Sequence, residues 1–361
     1  MRTARYIAAA RNLAPFIVAA VGVLVLVLAS TMFVSSEGFG YDYQAYDSAA
    51  RRVAAGEPLY LPDTVADYSA GRYEGLYLYP PPLAIALVPL TALGASAATV
   101  AWMVFRLALL VGACLLLPVS MRARLVTLGV AGVSFPVLFD LNIGNVSVVI
   151  LALCGVAWRW MGSPAAAIAH ASLAVIRFPF LIFGLLWLAQ RRFRPLAWTI
   201  AAGIALVLLA LPIVGLPTYA EYIAILRGLP DISVGQYNFS FESSALEIGL
   251  PAGLAGVGLI VSYLLGLAAV LFASRRRDEE TAFVVTAVAT LLVAPFIHPH
   301  YLVLLLLPAA WLIDRGRWWG AGLPLLGWLP DVLLPFTGLL AIALVLAVRD
   351  DQPEAKTIPA R

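Results

Sequence analysis

The sequence predicts an all-α, polytopic membrane protein, and three observations carry that prediction. Hydrophobic residues make up 62% of the 361 positions and charged residues only 12%, where a soluble domain is nearer about half apolar and about a quarter charged. The mean hydropathy of +0.94 means more apolar surface than one globular core can hide, so lipid must solvate much of the chain. The apolar runs also follow one another almost to the end, and the short links between them collect arginine.

The first run, residues 13–34, comes after Arg2, Arg5 and Arg11. It is too long for the apolar part of a signal peptide and no A-x-A site follows it, so it is expected to remain as the first transmembrane helix. A long polar segment, 35–81, comes next. The apolar piece 82–94 is short and is expected to be re-entrant or interfacial. Further spans are expected at 97–119, 125–140, 145–161, 164–176, 178–189, 196–216, 247–273, 281–297, 299–314, 318–330 and 331–348, which gives about 12 transmembrane helices. Several are shorter than the roughly 20 residues of a straight span and should be tilted, broken or sheltered. Residues 1–348 thus read as one transmembrane domain, and the polar tail 349–361 reads as disordered.

Arginine sets the expected orientation, because cytoplasmic loops collect basic residues. With the N-terminus inside, the links bearing Arg122 and Arg124, then Arg191, Arg192 and Arg194, then Arg275 to Arg277, then Arg315 and Arg317 all fall in the cytoplasm, as does the C-terminus. A rival count takes 82–94 as a full span and 164–189 as a single one. It ranks second because it moves Arg122 and Arg124 outside. In the preferred count loop 35–81, the turn Asn142–Asn145, the break at Arg177, loop 217–246 with Gln236 and Tyr237, and the His298–Tyr301 stretch share the extracytoplasmic face. The acidic residues avoid the spans in this reading, and no internal repeat is evident, which disfavours a transporter or flippase.

The net charge of +3 reflects arginine at one membrane face and gives no nucleic-acid footprint. Cys114 and Cys154 lie inside apolar runs and read as small buried hydrophobes. No CxxC, His/Cys cluster or extracytoplasmic acidic cluster suggests a metal, so no metal and no cofactor are expected.

The candidate chemistry gathers on the outer face. In GFGYDYQAYDSAARRVAAGEPLY, Asp42, Tyr46 and Ala49 share one face of a helix. Asp42 is placed to act as a general base toward a hydroxyl. A solvated or helix-capping carboxylate is the competing reading, and Asp47 is the competing base. Tyr79, in YLYPPP, suits either an interfacial aromatic belt or a substrate platform. Arg177 sits between apolar runs, where a cation is usually paired or functional. It suits a phosphate, or else snorkels to the headgroups. Arg106, inside an apolar run, raises the same question. His298 and His300, at i, i+2 with a proline between, do not suit two metal ligands on one helix face but can donate to phosphate or sugar. His170, in an Ala-rich run, reads as structural. Asn142, Asn145, Asn238 and Ser240 suit sugar hydroxyls or ordinary turns and caps.

Five motifs, in order from residue 40 to 312, together resemble a known family. They are D-x3-Y-x2-A with G-x2-LY, Y-x-YPP and VPL between Asp42 and Pro89; LNIGNVS; VIRFPFLIFGLLWLAQRRFRP; GQYNFSFESS; and VAPFIHPHYLVLLLLPAAW. The chain resembles the polyprenol-phosphate-mannose-dependent α-mannosyltransferases of glycosyltransferase family 87, within the GT-C superfamily. It departs from them in having Arg177 for the usual lysine, with Phe178 inserted before Pro179, and in spreading the adjacent histidine pair as His298-Pro299-His300.

The resemblance implies a GT-C helix bundle in the plasma membrane with an extracytoplasmic active site. It implies transfer of a hexose, mannose in the best-known members, from a polyprenyl-phosphate sugar donor to a glycolipid or lipoglycan acceptor. By the same resemblance Asp42 is the catalytic base, and Arg177, His298 and His300 hold the donor phosphate. From the residues themselves, Tyr46, Asp47, Tyr79, Asn142, Asn145, Asn238 and Ser240 are expected to contact substrate. Another polyprenyl-phosphate sugar, such as arabinofuranose, would need similar machinery.

Overall fold

A computed structural model describes residues 2–69, 76–228 and 238–329 of the chain. Every regular element among them is helical. In chain order they are α1 (Arg2–Phe33), α2 (Tyr41–Ala55), α3 (Thr64–Ser69), α4 (Pro81–Leu87), α5 (Ala95–Leu116), α6 (Met121–Ala131), α7 (Phe135–Ile143), α8 (Ser147–Arg159), α9 (Pro164–Ile176), α10 (Ile182–Ala189), α11 (Phe193–Gly228), α12 (Phe241–Glu247), α13 (Ala252–Arg276), α14 (Glu279–Leu292) and α15 (Leu306–Asp314). Short 3-10 turns continue α4 over Val88–Ala92, lead into α10 over Phe178–Leu181 and into α15 over Pro299–Leu305, and end the described chain over Trp318–Trp328.

Four segments are long and apolar enough to cross a membrane: Asn12–Phe33, Ala95–Leu116, Phe193–Gly228 and Ala252–Arg276. Helices α6 and α7 make a fifth if their 63° bend is taken within one broken span. Their outward faces are apolar, with Phe16, Leu24, Ile204, Leu209, Val257 and Leu264 all more than half exposed. Such surfaces belong in lipid. The expectation of about twelve spans also needs shorter helices such as α8 and α9, of 13 residues each. At 1.5 Å per residue these reach only about 20 Å, less than the hydrocarbon thickness.

The centre of the bundle is α14 and the stretch 299–313. Every residue from Thr281 to Leu292 is buried, the pattern of a helix enclosed on all sides. Asp278 caps α14 by accepting from Thr281 N at 2.9 Å, and Glu279 and Glu280 in its first turn complement the helix dipole. At the opposite flank α1 meets α6 through small residues. A Cβ on Gly22 would lie 2.6 Å from Gly129 Cα, so only glycine permits this approach.

Polar links divide the helix ends into two groups. At one end Ser120 N donates to Asp314 Oδ1, Arg192 pairs with Glu279, and Arg315 pairs with Glu280. These tie together several of the arginine-bearing links. At the other end the start of α2 meets the end of α7, where Gly40 N donates to Asn142 O at 2.8 Å, and the end of α9 meets the end of α14, where Arg177 reaches Phe296 O.

Three expectations need correction. Residues 217–228 are not loop: α11 runs on to Gly228, with a kink at Gly215 (φ 78°) between Pro212 and Pro217. Residues 318–328 form a 3-10 helix rather than an α-helical span. Nor do the acidic residues avoid the spans, because Asp140 lies fully buried in α7. Gln236, Tyr237, the run 331–348 and the tail 349–361 lie outside the described residues.

Candidate active site

Helix α2 is built to hold one face inward. It starts after Gly40 and ends before Gly56, both left-handed (φ 70° and 71°). Arg51 fastens it from outside, with Nε 2.8 Å from Asp47 Oδ2 and its two terminal nitrogens donating to Thr91 O and Leu93 O. Asp47 is thus committed to an ion pair. Tyr46 is buried on the inner face and packs edge-on against Tyr79, ring centroids 5.2 Å apart.

Asp42, one turn before Tyr46, meets the turn between α7 and α8. Asn145 Nδ2 donates to Asp42 Oδ2 at 2.7 Å and to Tyr79 Oη at 3.3 Å. Asn145 Oδ1 accepts from Ser147 Oγ at 3.1 Å, which fixes the side-chain amide orientation. Burial pushes the Asp42 carboxyl up to about 6, against the lowering effects of the Asn145 hydrogen bond and the Arg106 charge. Its base form is therefore available near neutral pH. Burial also holds the Tyr46 and Tyr79 phenols well above the ordinary tyrosine value, so both remain neutral hydroxyls.

The turn itself rests on two buried residues. Gly144 adopts φ 87°, and a Cβ there would lie 2.7 Å from Tyr43 Cβ, so the position requires glycine. Trp102 Nε1 donates to Gly144 O at 2.8 Å. Arg106, 1% exposed, donates to Asp140 Oδ2 and to the carbonyls of Asp140, Leu141 and Asn145. Asn142 turns the other way, its Oδ1 accepting from Ser36 Oγ at 3.0 Å.

A cationic corner forms where α9 ends. Helix α9 ends at Ile176, and the extended Arg177 leads into the 3-10 turn Phe178–Leu181, in which Pro179 has no N–H to continue the helical ladder. The Arg177 side chain is buried, donates to Phe296 O at 3.0 Å and lies over the Tyr301 ring at 3.4 Å. Among the described residues no carboxylate pairs with it. Tyr301 faces Tyr79 and so joins this corner to the Asp42 side. His298 and His300 stack at 5.6 Å, and His300 is buried with neither ring nitrogen hydrogen-bonded among the described residues.

Asn238 and Ser240 shape the site from behind. Asn238 Oδ1 accepts from Ser240 N and Ile297 N, each at 2.9 Å, and Ser240 Oγ caps α12 by accepting from Ser243 N. They hold the His298 stretch in place, and these bonds engage the groups that the sequence offered to sugar hydroxyls. The structure thus brings together Asp42, Tyr46, Tyr79 and Asn145, and joins them through Tyr301 to Arg177 and the histidines. Sequence reasoning missed Trp102, Asp140 and Tyr301. An acid inside an apolar run was the available signal for Asp140.

Residues 77–295, more than half of the chain, match the sequence model of glycosyltransferase family 87. The chain belongs to that family. This family 87 glycosyltransferase is accordingly a transferase that takes a sugar donor and an acceptor, and it carries membrane helices. The matched segment contains Tyr79, Asn145 and Arg177; Asp42 precedes it and His298 follows it. No curated protein and no solved structure matches the chain.

Proposed function

We propose that this glycosyltransferase moves a hexose, mannose in the first instance, from a polyprenyl-phosphate donor to a glycolipid or lipoglycan acceptor at the extracytoplasmic face of the plasma membrane. Both termini are cytoplasmic in this reading, which follows the arginine-rich links at the end of the bundle remote from Asp42. The observation that carries the proposal is the pairing, across a bridge of two tyrosines, of the Asp42 carboxyl, which burial pushes up to about 6, with the buried Arg177, which has no carboxylate partner among the described residues.

The chemistry divides between those two groups. The acceptor hydroxyl attacks the anomeric carbon while Asp42 takes its proton. The bond from that carbon to the phosphate oxygen breaks, and its electron pair stays on the phosphate. Arg177, with its fork of donors, neutralises the charge that develops there, and the nitrogens of His300 and His298 lie beside it as further phosphate contacts. Tyr79 and Tyr46, packed on each other, offer neutral hydroxyls beside Asp42 toward the sugar. Direct displacement through an oxocarbenium-like state inverts the anomeric centre.

The test is transfer of labelled mannose from polyprenyl-phosphate-mannose to extracted membrane glycolipids, with wild type beside Asp42→Asn. Transfer by wild type and none by the variant supports donor and base together. Equal transfer by both removes Asp42 from the mechanism, and transfer only from a polyprenyl-phosphate pentose replaces the sugar.

A further inference from the structure

We propose that Arg106, Asp140 and Trp102 are positioning residues that clamp the Leu141–Asn145 turn so that Asn145 is presented to Asp42. The inference rests on the reading of Asp42 as the base and adds residues that never touch substrate.

Arg106 and Asp140 do not behave as an isolated ion pair. The Arg106 Nη1 atom is 3.0 Å from Asp140 Oδ2, yet the same nitrogen also donates to the backbone carbonyls of Asp140 (2.6 Å) and Asn145 (3.3 Å). Nη2 donates to the Leu141 carbonyl at 2.9 Å. Asp140 Oδ1 in turn accepts from the backbone N–H of Ser147 at 3.2 Å. One guanidinium and one carboxylate therefore grip the turn on both sides of Asn145. Trp102, one helical turn before Arg106 on α5, takes a further carbonyl of the turn, that of Gly144. The planar fork of arginine is what allows one side chain to reach three carbonyls and a carboxylate at once.

The need for such a clamp lies in Asn145. Both protons of its amide are used, one toward Asp42 and one toward Tyr79. A small rotation of the turn would break both bonds together. A buried ion pair contributes little net stability compared with apolar residues of the same size, so its value here is geometric. Asp42 has Tyr46 on its own helix, Tyr79 before α4, Tyr301 before α15, Arg106 on α5 and Asp140 on α7 as its titratable and charged neighbours. A change in Asn145 alone should thus be legible in the acid limb of the pH–rate profile.

The experiment is a double-mutant cycle on detergent-solubilised full-length enzyme, with Arg106→Lys, Asn145→Ala and the pair combined. Lysine keeps the positive charge near Asp42 and loses the fork. The expected result is a roughly 10- to 100-fold fall in kcat, little change in donor KM, and an acid limb displaced to higher pH, because the hydrogen bond that favours the carboxylate has gone. Asn145→Ala should give the same displacement, and the combined variant no more than either. Trp102→Phe, a gentler change in the same clamp, should displace the limb in the same direction and decides the matter alone if Arg106→Lys does not yield monodisperse protein. Wild-type profiles in Arg106→Lys and Trp102→Phe would overturn the proposal. So would losses that add to that of Asn145→Ala with an unmoved limb, the mark of general destabilisation. Asp42→Asn run alongside separates the two readings, since an active Asp42→Asn enzyme defeats the base assignment itself.

Discussion

The Asn145 side-chain amide and the Asp42 carboxylate, 103 positions apart in sequence, meet at 2.7 Å. A hydrogen bond to a charged group is worth about 1.5–3 kcal/mol. Asn145→Ala is therefore expected to slow transfer by about 10- to 100-fold and to move its acid limb to higher pH. A pH series on the purified variant reads both effects.

Asp42→Asn is expected to reduce transfer by about 10²- to 10⁴-fold and to raise thermal stability at neutral pH. Burial raises the Asp42 carboxyl from 3.8 to about 6, so its contribution to stability is present below pH 3.8 and is lost as pH rises through about 6. The difference in Tm between variant and wild type should thus be greatest at pH 7 and vanish toward pH 4. Wild-type transfer should fall below about pH 6.

Arg177→Lys keeps the charge and loses the fork, whereas Arg177→Met loses both. Donor titrations should show the lysine variant with a KM raised by about tenfold and the methionine variant by about 100-fold or more. Acceptor KM should change in neither. His300→Phe keeps an aromatic ring beside Phe139 and removes both ring nitrogens, and should weaken donor binding.

Gly144→Ala is expected to lower stability by at least ~2 kcal/mol. The residue would have to hold a left-handed backbone and place its Cβ against Tyr43. Thermal unfolding measures that loss, and transfer should fall with it as the turn moves away from Asp42.

The sequence discloses what depends on local pattern. The first apolar run becomes α1, the Asp42–Tyr46–Ala49 spacing becomes one face of α2, and Gly144 in LNIGNVS becomes a left-handed turn. It discloses less where meaning depends on a partner far along the chain. Asn145 reads as a sugar contact until Asp42 is seen beside it, and Asn238 reads likewise until Ile297 N is found bonded to it. Arg106 invites a ligand until Asp140 appears 34 residues later. The apolar run 196–216 reads as a span followed by loop, yet Gly215 absorbs a kink and α11 continues to Gly228, bringing Tyr222 to stack on Tyr60.

The Arg106–Asp140 pair also bears on how the chain is made. Arg106 sits near the middle of α5, where a lone arginine costs about 2.5–3.5 kcal/mol to insert. The ribosome delivers it 34 residues before its carboxylate partner. Helix α5 should therefore linger at the insertion channel until α7 has been synthesised, and the two should enter the bilayer together. Arrested nascent chains ending before Asp140 should crosslink α5 to the channel, and longer chains should release it to lipid. With Arg106→Leu the release should come early; wild-type α5 released equally early would show that the charge imposes no such wait.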